Sequence, residues 1–382
     1  MKSAKERAKR HREKQQRRAN GLFNCLPFKF RRGRTKFPGF ERGKYYLFTA
    51  NQKVGKSKLV DDLFIHYPHE LRTKHSRDLR TRVLYFSLEE TEDMKGDQMD
   101  CYTLWSTNHI RVSPKELNSI SCECPNNILE LTESEESTTF TDSMLQNVEY
   151  VTDIKNPTGI YKKIKEWLTT FGHFNYTKGK KQDAFGNWVE GEVLDKNNPY
   201  TQNDPEEFVI VIIDNFANLN TERGWDLRET INKMSKYCME LAQNGIIVNG
   251  VQHQAQSQES LENLKYSQVV PTINGLGDAK TTARDAFAVF GLFSPIRFLL
   301  QQHLKYDVTV FKEYLRFLYI VTDRDGAMGT VIPLLFRGDV STFEELPKSD
   351  RIDLLNQIKR DLDIEEVNFE ETFKIEENNE NY

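Results

Sequence analysis

The sequence is short of the features that mark secreted or membrane-embedded proteins. Its 382 residues include only five cysteines, an odd number with no paired C-x-x-C spacing. That count argues against a disulfide framework and against a zinc ribbon. Cys122 and Cys124 flank one glutamate but have no matching His/Cys pair nearby, so they are read as structural. Apolar runs are brief. Phe208–Ile213 is typical of the longest, far below the roughly 18–20 residues that a membrane span requires. The amino terminus is basic with no apolar stretch behind it, which excludes a secretory signal. No internal repeat is visible. The expectation is a soluble protein of a reducing cytoplasm with no membrane partner.

What is present is aromatic and charged. Hydrophobic residues make up 38%, somewhat lean, but 24 Phe and 15 Tyr supply a sizeable core. The length fits one large domain or two smaller ones. The net charge of −4 conceals a strong asymmetry. Residues 1–36 carry 14 Lys+Arg and only two acids, Glu6 and Glu13, whereas Asp361–Tyr382 carries nine acids and one base, Lys374. Each end reads either as a solvated, partly disordered terminus or as an interaction segment, with phosphate contact the functional reading of the basic head. Residues 2–18 suit a helix but lack an apolar stripe, and Gly21–Phe40 reads as a linker or extended arm. The division expected is a basic arm over 1–36, a core domain over 37–346 and an acidic tail over 347–382.

Within the core the apolar pattern alternates between strands and helices. Lys44–Thr49, Arg82–Leu88, Phe208–Ile213, Gly245–Val251, Phe287–Phe293 and Leu315–Val321 read as strands. Lys58–Ile65, Ile160–Thr170 and Asp226–Gln243 have helical spacing, with Ile160, Ile164, Trp167 and Leu168 on one side of the second. Thr322–Gly329 is a glycine-containing turn that would close a hairpin with Thr330–Phe336. Polar stretches near 119–145 and 172–207 read as insertions. The fold class expected is α/β, with a mostly parallel central sheet flanked by helices.

One local signal carries chemistry. Ala50-Asn51-Gln52-Lys53-Val54-Gly55-Lys56-Ser57 follows a strand and opens a helix. It matches the phosphate-binding P-loop pattern apart from alanine at the first glycine. Such a loop wraps backbone N–H groups at a helix amino terminus around phosphate oxygens. Lys56 would contact the β and γ phosphates, and the Ser57 hydroxyl would hold Mg²⁺. Asp214 ends the most apolar strand, where it would order the magnesium at the sheet rim. Glu89 ends the strand before it and could polarise an attacking water, with Glu90 pointing elsewhere. Gln252 follows another strand and could sense the γ-phosphate, while Arg324 lies in the hairpin turn. Each of these is also compatible with an ordinary rim or surface residue when taken alone.

As a set, they resemble a known family. Phe86-Ser87-Leu88-Glu89, the strand ending in Asp214, the strand ending in Gln252 and Thr322–Val331 (TDRDGAMGTV) fall in the order found in the RecA-like motor domain of DnaB-type replicative helicases. The alanine-initiated P-loop supports the resemblance, because these helicases often have alanine there. The resemblance covers roughly Phe37–Leu346. It implies a RecA-like P-loop NTPase core with a C-terminal β-hairpin, ATP and Mg²⁺ as ligands, Glu89 as catalytic carboxylate, and Gln252 coupling nucleotide to DNA-facing loops. It also implies that Arg324 is a finger inserted into the neighbouring subunit of a ring, typically a hexamer. Single-stranded DNA, and a primase or loader, are the partners implied.

The sequence departs from the family in three places. Thr322 stands where the family usually has lysine. The DNA-loop region Gly275–Asp285 is short, leaving Lys280 and Arg284 as candidates for strand contact. There is no room for the primase-interacting domain, which suits a compact phage or mobile-element protein acting in a bacterial host. A recombination ATPase of the RecA/RadA kind and a nucleotide-gated DNA-binding or loader protein without motor activity are the competing readings. Glu89 discriminates, since a binding-only protein has no need of it.

Overall fold

The computed structural model describes residues 3–75, 78–182, 186–255 and 269–373. Nine strands form the main sheet: β1 Lys44–Ala50, β2 Thr81–Ser87, β3 Val148–Val151, β4 Phe208–Asp214, β5 Ile247–His253, β6 Ala288–Phe293, β7 Leu315–Asp323, β8 Val331–Arg337 and β9 Thr342–Glu345. Their order across the sheet is β9-β8-β7-β6-β1-β5-β4-β2-β3. The run from β6 to β3 is parallel, and β7, β8 and β9 extend it antiparallel. The hairpin expected from the turn residues is the β7–β8 pair. β1, β4 and β6 are buried on both faces, so each reads as a continuous apolar run rather than an alternation.

Helices cover the two faces. α1 (Ala4–Ala19) is capped by a Ser3/Glu6 box and has no buried residue, but Arg17 in its last turn is ion-paired with Glu206 at 2.5 Å. α2 starts at Lys56 and continues through a π-helical turn, Asp62–His66, to Thr73. It packs with α3 (Glu92–Asn108) on one face, where Leu59, Val60, Leu63, Met99 and Tyr102 join a single core. α4 (Pro157–Thr169) and α5 (Leu227–Ala242) cover the other face with the short helix α6 (Thr281–Asp285). The four apolar residues expected on one side of α4 are all buried there. Asp226 caps α5 in a box with Glu229. The 172–207 insertion is a hairpin arrangement, with Tyr176–Gln182 paired to Trp188–Leu194 on the surface. Among the described residues no helix is long and apolar enough to cross a membrane.

Two terminal readings need correction. Gly21–Phe40 is not a free linker from Leu26 onward. Leu26–Pro27 pairs with Gly39–Phe40, and Phe28, Phe30, Phe37 and Phe40 are buried in the α2-side core. Phe28 makes edge contacts with Phe30 and Phe37 and lies 6.0 Å from Phe290 of β6. Lys29 from the same segment pairs with the buried Asp62, at 2.6 Å. Aromatic mass outweighs the basic composition here, so the domain's packing begins before Phe37. Replacing Phe28 with alanine should therefore destabilise the protein by about 3–5 kcal/mol in chemical denaturation. A loss below about 1 kcal/mol would mean the segment is an appendage.

The acidic end is likewise partly folded. α7 (Ile352–Phe373) buries Leu362 and Phe373, and Glu365 accepts a forked bond from Arg337 at 2.8 Å. Residues 374–382 of the expected tail lie outside the described residues.

Candidate active site

β1 runs up the middle of the sheet between β6 and β5, and its carboxyl end delivers the chain into residues 51–55. Gly55 turns at φ +104°, in the left-handed region, and a Cβ there would sit 2.8 Å from the Phe336 ring. Both facts call for glycine. The turn leaves the first N–H groups of α2 without intrahelical partners. Arg316 donates to the Val54 carbonyl at 3.0 Å and Lys58 to the Gly338 carbonyl, so β7 and the β8–β9 turn hold the loop. Ala50, Asn51 and Val54 are buried beneath it, while Gln52 and Lys53 are exposed.

A cleft of 330 Å³ opens over this loop, lined by Lys53, Gly55–Lys58, Glu89, Glu90, Asn215, His253, Phe336 and Gly338. Lys56 is 6% exposed. Its Nζ donates to the Asn51 carbonyl at 3.1 Å and lies 2.8 Å from His253 Nδ1. Burial pushes the Lys56 ammonium down to about 8, opposed by the nearby carboxylates of Asp214 and Glu89. Burial, with Lys56 adding to it, pushes His253 down to about 4, so the imidazole is neutral at pH 7.

The acids arrive from two neighbouring strands. Asp214 ends β4 in register with Ser87 of β2, so the chain that follows β2 brings Glu89 beside it. Asp214 Oδ2 accepts from the Tyr85 hydroxyl at 2.9 Å, while Oδ1 is buried without a partner among the described residues. Glu89 is exposed to the cleft, and its Oε2 accepts from Asn215 Nδ2 at 2.6 Å. Asn215 Nδ2 also lies 3.1 Å from His253 Nε2, which makes a continuous chain Lys56–His253–Asn215–Glu89. Glu90 turns inward, 3.0 Å from Lys95 Nζ and accepting from Gln98 at 2.9 Å.

Gln252 is not in the cleft. Along β5 the odd residues Ile247 and Val251 share a core with α2, whereas Val248 faces the core containing α5 and α6. Strand alternation thus turns His253 toward the loop and Gln252 away from it. Gln252 Oε1 instead accepts from Thr282 of α6 at 2.7 Å. The period-two pattern of β5 is the signal in the sequence that points to His253. Asn215 carries none, because its role depends on β4 and β5 ending side by side.

Arg324, Lys280 and Arg284 also lie off the cleft. All three are exposed, and Arg324 Nη2 donates to the Arg284 carbonyl at 2.8 Å. The Arg324 N–H bonds Phe287 O, and the Phe287 N–H bonds Tyr45 O, at the amino end of β1. Lys56 lies past the carboxyl end of that strand. From Tyr45 to Ala50 β1 spans about 16 Å at ~3.3 Å per residue, so Arg324 lies at the other end of the strand from its own chain's cleft.

No protein-family model and no curated protein matches the sequence. Solved structures do. One of them, an ATPase domain, superposes with a TM-score of 0.61 at 14% identity, over 91% of this chain and 100% of that one. A DnaB-like replicative helicase, solved for its interactions with primase, gives 0.60 at 13% identity over 86% of this chain, which spans 64% of that longer protein. With its mostly parallel sheet, its loop at the end of the central strand and these neighbours, the chain has the RecA-like fold of the ATPase domain of DnaB-type replicative helicases.

Proposed function

We propose that the chain is an ATP-driven DNA helicase motor that assembles as a ring, typically hexameric, moves along single-stranded DNA and unwinds duplex during replication. The observation that carries this reading is the split placement of its groups. Lys56, Glu89, Asn215 and His253 converge on one cleft, while Arg324 sits beyond the opposite, amino end of β1. Copies placed edge to edge would complete one another's sites.

The residues present suit a nucleoside triphosphate with a divalent cation. Lys56 and the free N–H groups of α2 offer positive charge to phosphate oxygens. Asp214, with one buried carboxylate oxygen lacking a partner among the described residues, and the Ser57 hydroxyl supply hard oxygen donors of the kind Mg²⁺ takes. Bound Mg²⁺ would neutralise charge on the phosphates. Glu89 would take the proton from the attacking water, with Asn215 fixing the direction of its carboxylate. His253 and Gln252 divide the coupling between them. One faces Lys56, and the other grips the segment carrying Lys280 and Arg284, on opposite sides of the same strand. A primase or loader partner and a phage setting belong to this reading.

The test is ATP hydrolysis by the purified protein with and without single-stranded DNA, at low and moderate salt. Turnover stimulated at least about tenfold by the strand, and weakened as salt rises, is expected. ATP binding without turnover in either condition would overturn the motor reading in favour of a nucleotide-gated DNA-binding protein. Stimulated turnover with filaments and no fork unwinding would favour a recombination ATPase.

A further inference from the structure

Beneath the cleft lies a charged cluster that the reaction itself does not touch. Lys95 of α3 is fully buried, an unusual place for an ammonium group. Its Nζ lies 2.8 Å from Asp61 Oδ2 of α2 and 3.0 Å from Glu90 Oε2. It also donates to the Tyr85 hydroxyl at 3.3 Å, and that hydroxyl donates in turn to Asp214 Oδ2 at 2.9 Å. Three acceptors therefore use the three protons of one ammonium group.

The direction of this chain is fixed by chemistry. A lysine ammonium can only donate and a carboxylate can only accept, so the single hydroxyl proton of Tyr85 must point at Asp214. Tyr85 cannot turn away, because its ring is fully buried in β2, in register with Ile212 of β4. Asp214 Oδ2 is occupied as a result, and Oδ1 is the oxygen left without a partner among the described residues. The hydroxyl therefore has two tasks, accepting the third proton of Lys95 and donating its own to Asp214, and phenylalanine at position 85 would perform neither.

We propose that Tyr85, oriented by Lys95, is a positioning residue for Asp214, holding its carboxylate so that Oδ1 is presented to the divalent cation that accompanies the nucleotide. This rests on the nucleotide reading of the cleft. Tyr85 touches neither substrate nor metal and acts through Asp214. The same chain ties α2, which follows the phosphate loop, and α3, which follows Glu89, to the carboxyl end of β4 through one buried lysine.

The experiment measures binding of a fluorescent ADP derivative to the full chain, in EDTA and across a Mg²⁺ titration, for the parent, Tyr85→Phe, Asp214→Asn and the double variant. Tyr85→Phe should bind in EDTA within about twofold of the parent. It should lose about tenfold of the tightening that Mg²⁺ brings, the scale of one hydrogen bond to a charged group. The double variant should lose no more than Asp214→Asn alone, as expected of two residues acting as one unit. Retention of the full Mg²⁺ effect by Tyr85→Phe would overturn the proposal. So would failure of Tyr85→Phe to fold, which would make the hydroxyl a structural group. A parent protein whose ADP affinity ignores Mg²⁺ would instead overturn the underlying reading of the cleft.

Discussion

A Glu89→Gln protein should bind ATP as tightly as the parent and hydrolyse it at least about a hundredfold more slowly, because the amide keeps the shape of the side chain and loses only its basicity. The geometry makes the expectation specific to this residue. Two carboxylates border the cleft, Glu89 and Glu90. Glu90 is committed to Lys95 and Gln98, one partner on each of its oxygens, and its charge is already paired. Glu89 has one oxygen tethered by Asn215, which fixes its orientation while its side chain stays exposed to the cleft. Steady-state phosphate release with saturating single-stranded DNA, beside a direct nucleotide affinity, separates the two quantities. A rate within about threefold of the parent would remove Glu89 from the chemistry, and weakened binding with an unchanged maximal rate would recast it as a ligand contact.

The parts of this architecture that can be read from sequence share one physical property: they are settled locally. β1, β2, β4 and β6 announce themselves because a parallel strand buried on both faces must be apolar throughout. Lys56, Glu89 and Asp214 are legible for a related reason, since the residue that leaves such a strand at its carboxyl end reaches the rim. β3, with only Val151 buried, and β9, with two exposed or half-exposed glutamates, give no comparable run. The N-terminal segment misleads because its charge is conspicuous and its aromatic residues follow no period. Phe28, Phe30, Phe37 and Phe40 cluster around one another and Phe290 rather than lining a helix or strand face.

Other parts depend on elements distant in sequence. His253 replaces Gln252 at the cleft through strand parity, which an adjacent-residue reading passes over. The Lys95–Tyr85–Asp214 chain joins α3, β2 and β4. A lysine in a polar stretch offers no sign, taken alone, that it will be buried. α7 is intermediate: Leu355, Ile358 and Leu362 are spaced for a helix face, but the surrounding acids suggest a solvated tail.

Arg324→Ala should abolish hydrolysis by the assembled protein, by a factor of about 10³ or more if it supplies the trans charge that stabilises phosphoryl transfer. Nucleotide affinity of the single chain should be untouched, because Arg324 lies beyond the far end of β1 from Lys56. The decisive measurement mixes variants. A Lys56→Ala subunit keeps its finger and loses its site, while an Arg324→Ala subunit keeps its site and loses its finger. In a closed ring of head-to-tail contacts, random mixing in equal amounts pairs an intact site with an intact finger at about one interface in four. Two nearly inactive preparations should therefore regain up to about a quarter of the parent's activity when mixed and allowed to exchange. Activity should also follow ring assembly, falling when dilution separates the subunits. No recovery at any ratio, in rings shown to contain both variants, would confine Arg324 to its bond with the Arg284 carbonyl and leave the two ends of the strands unconnected.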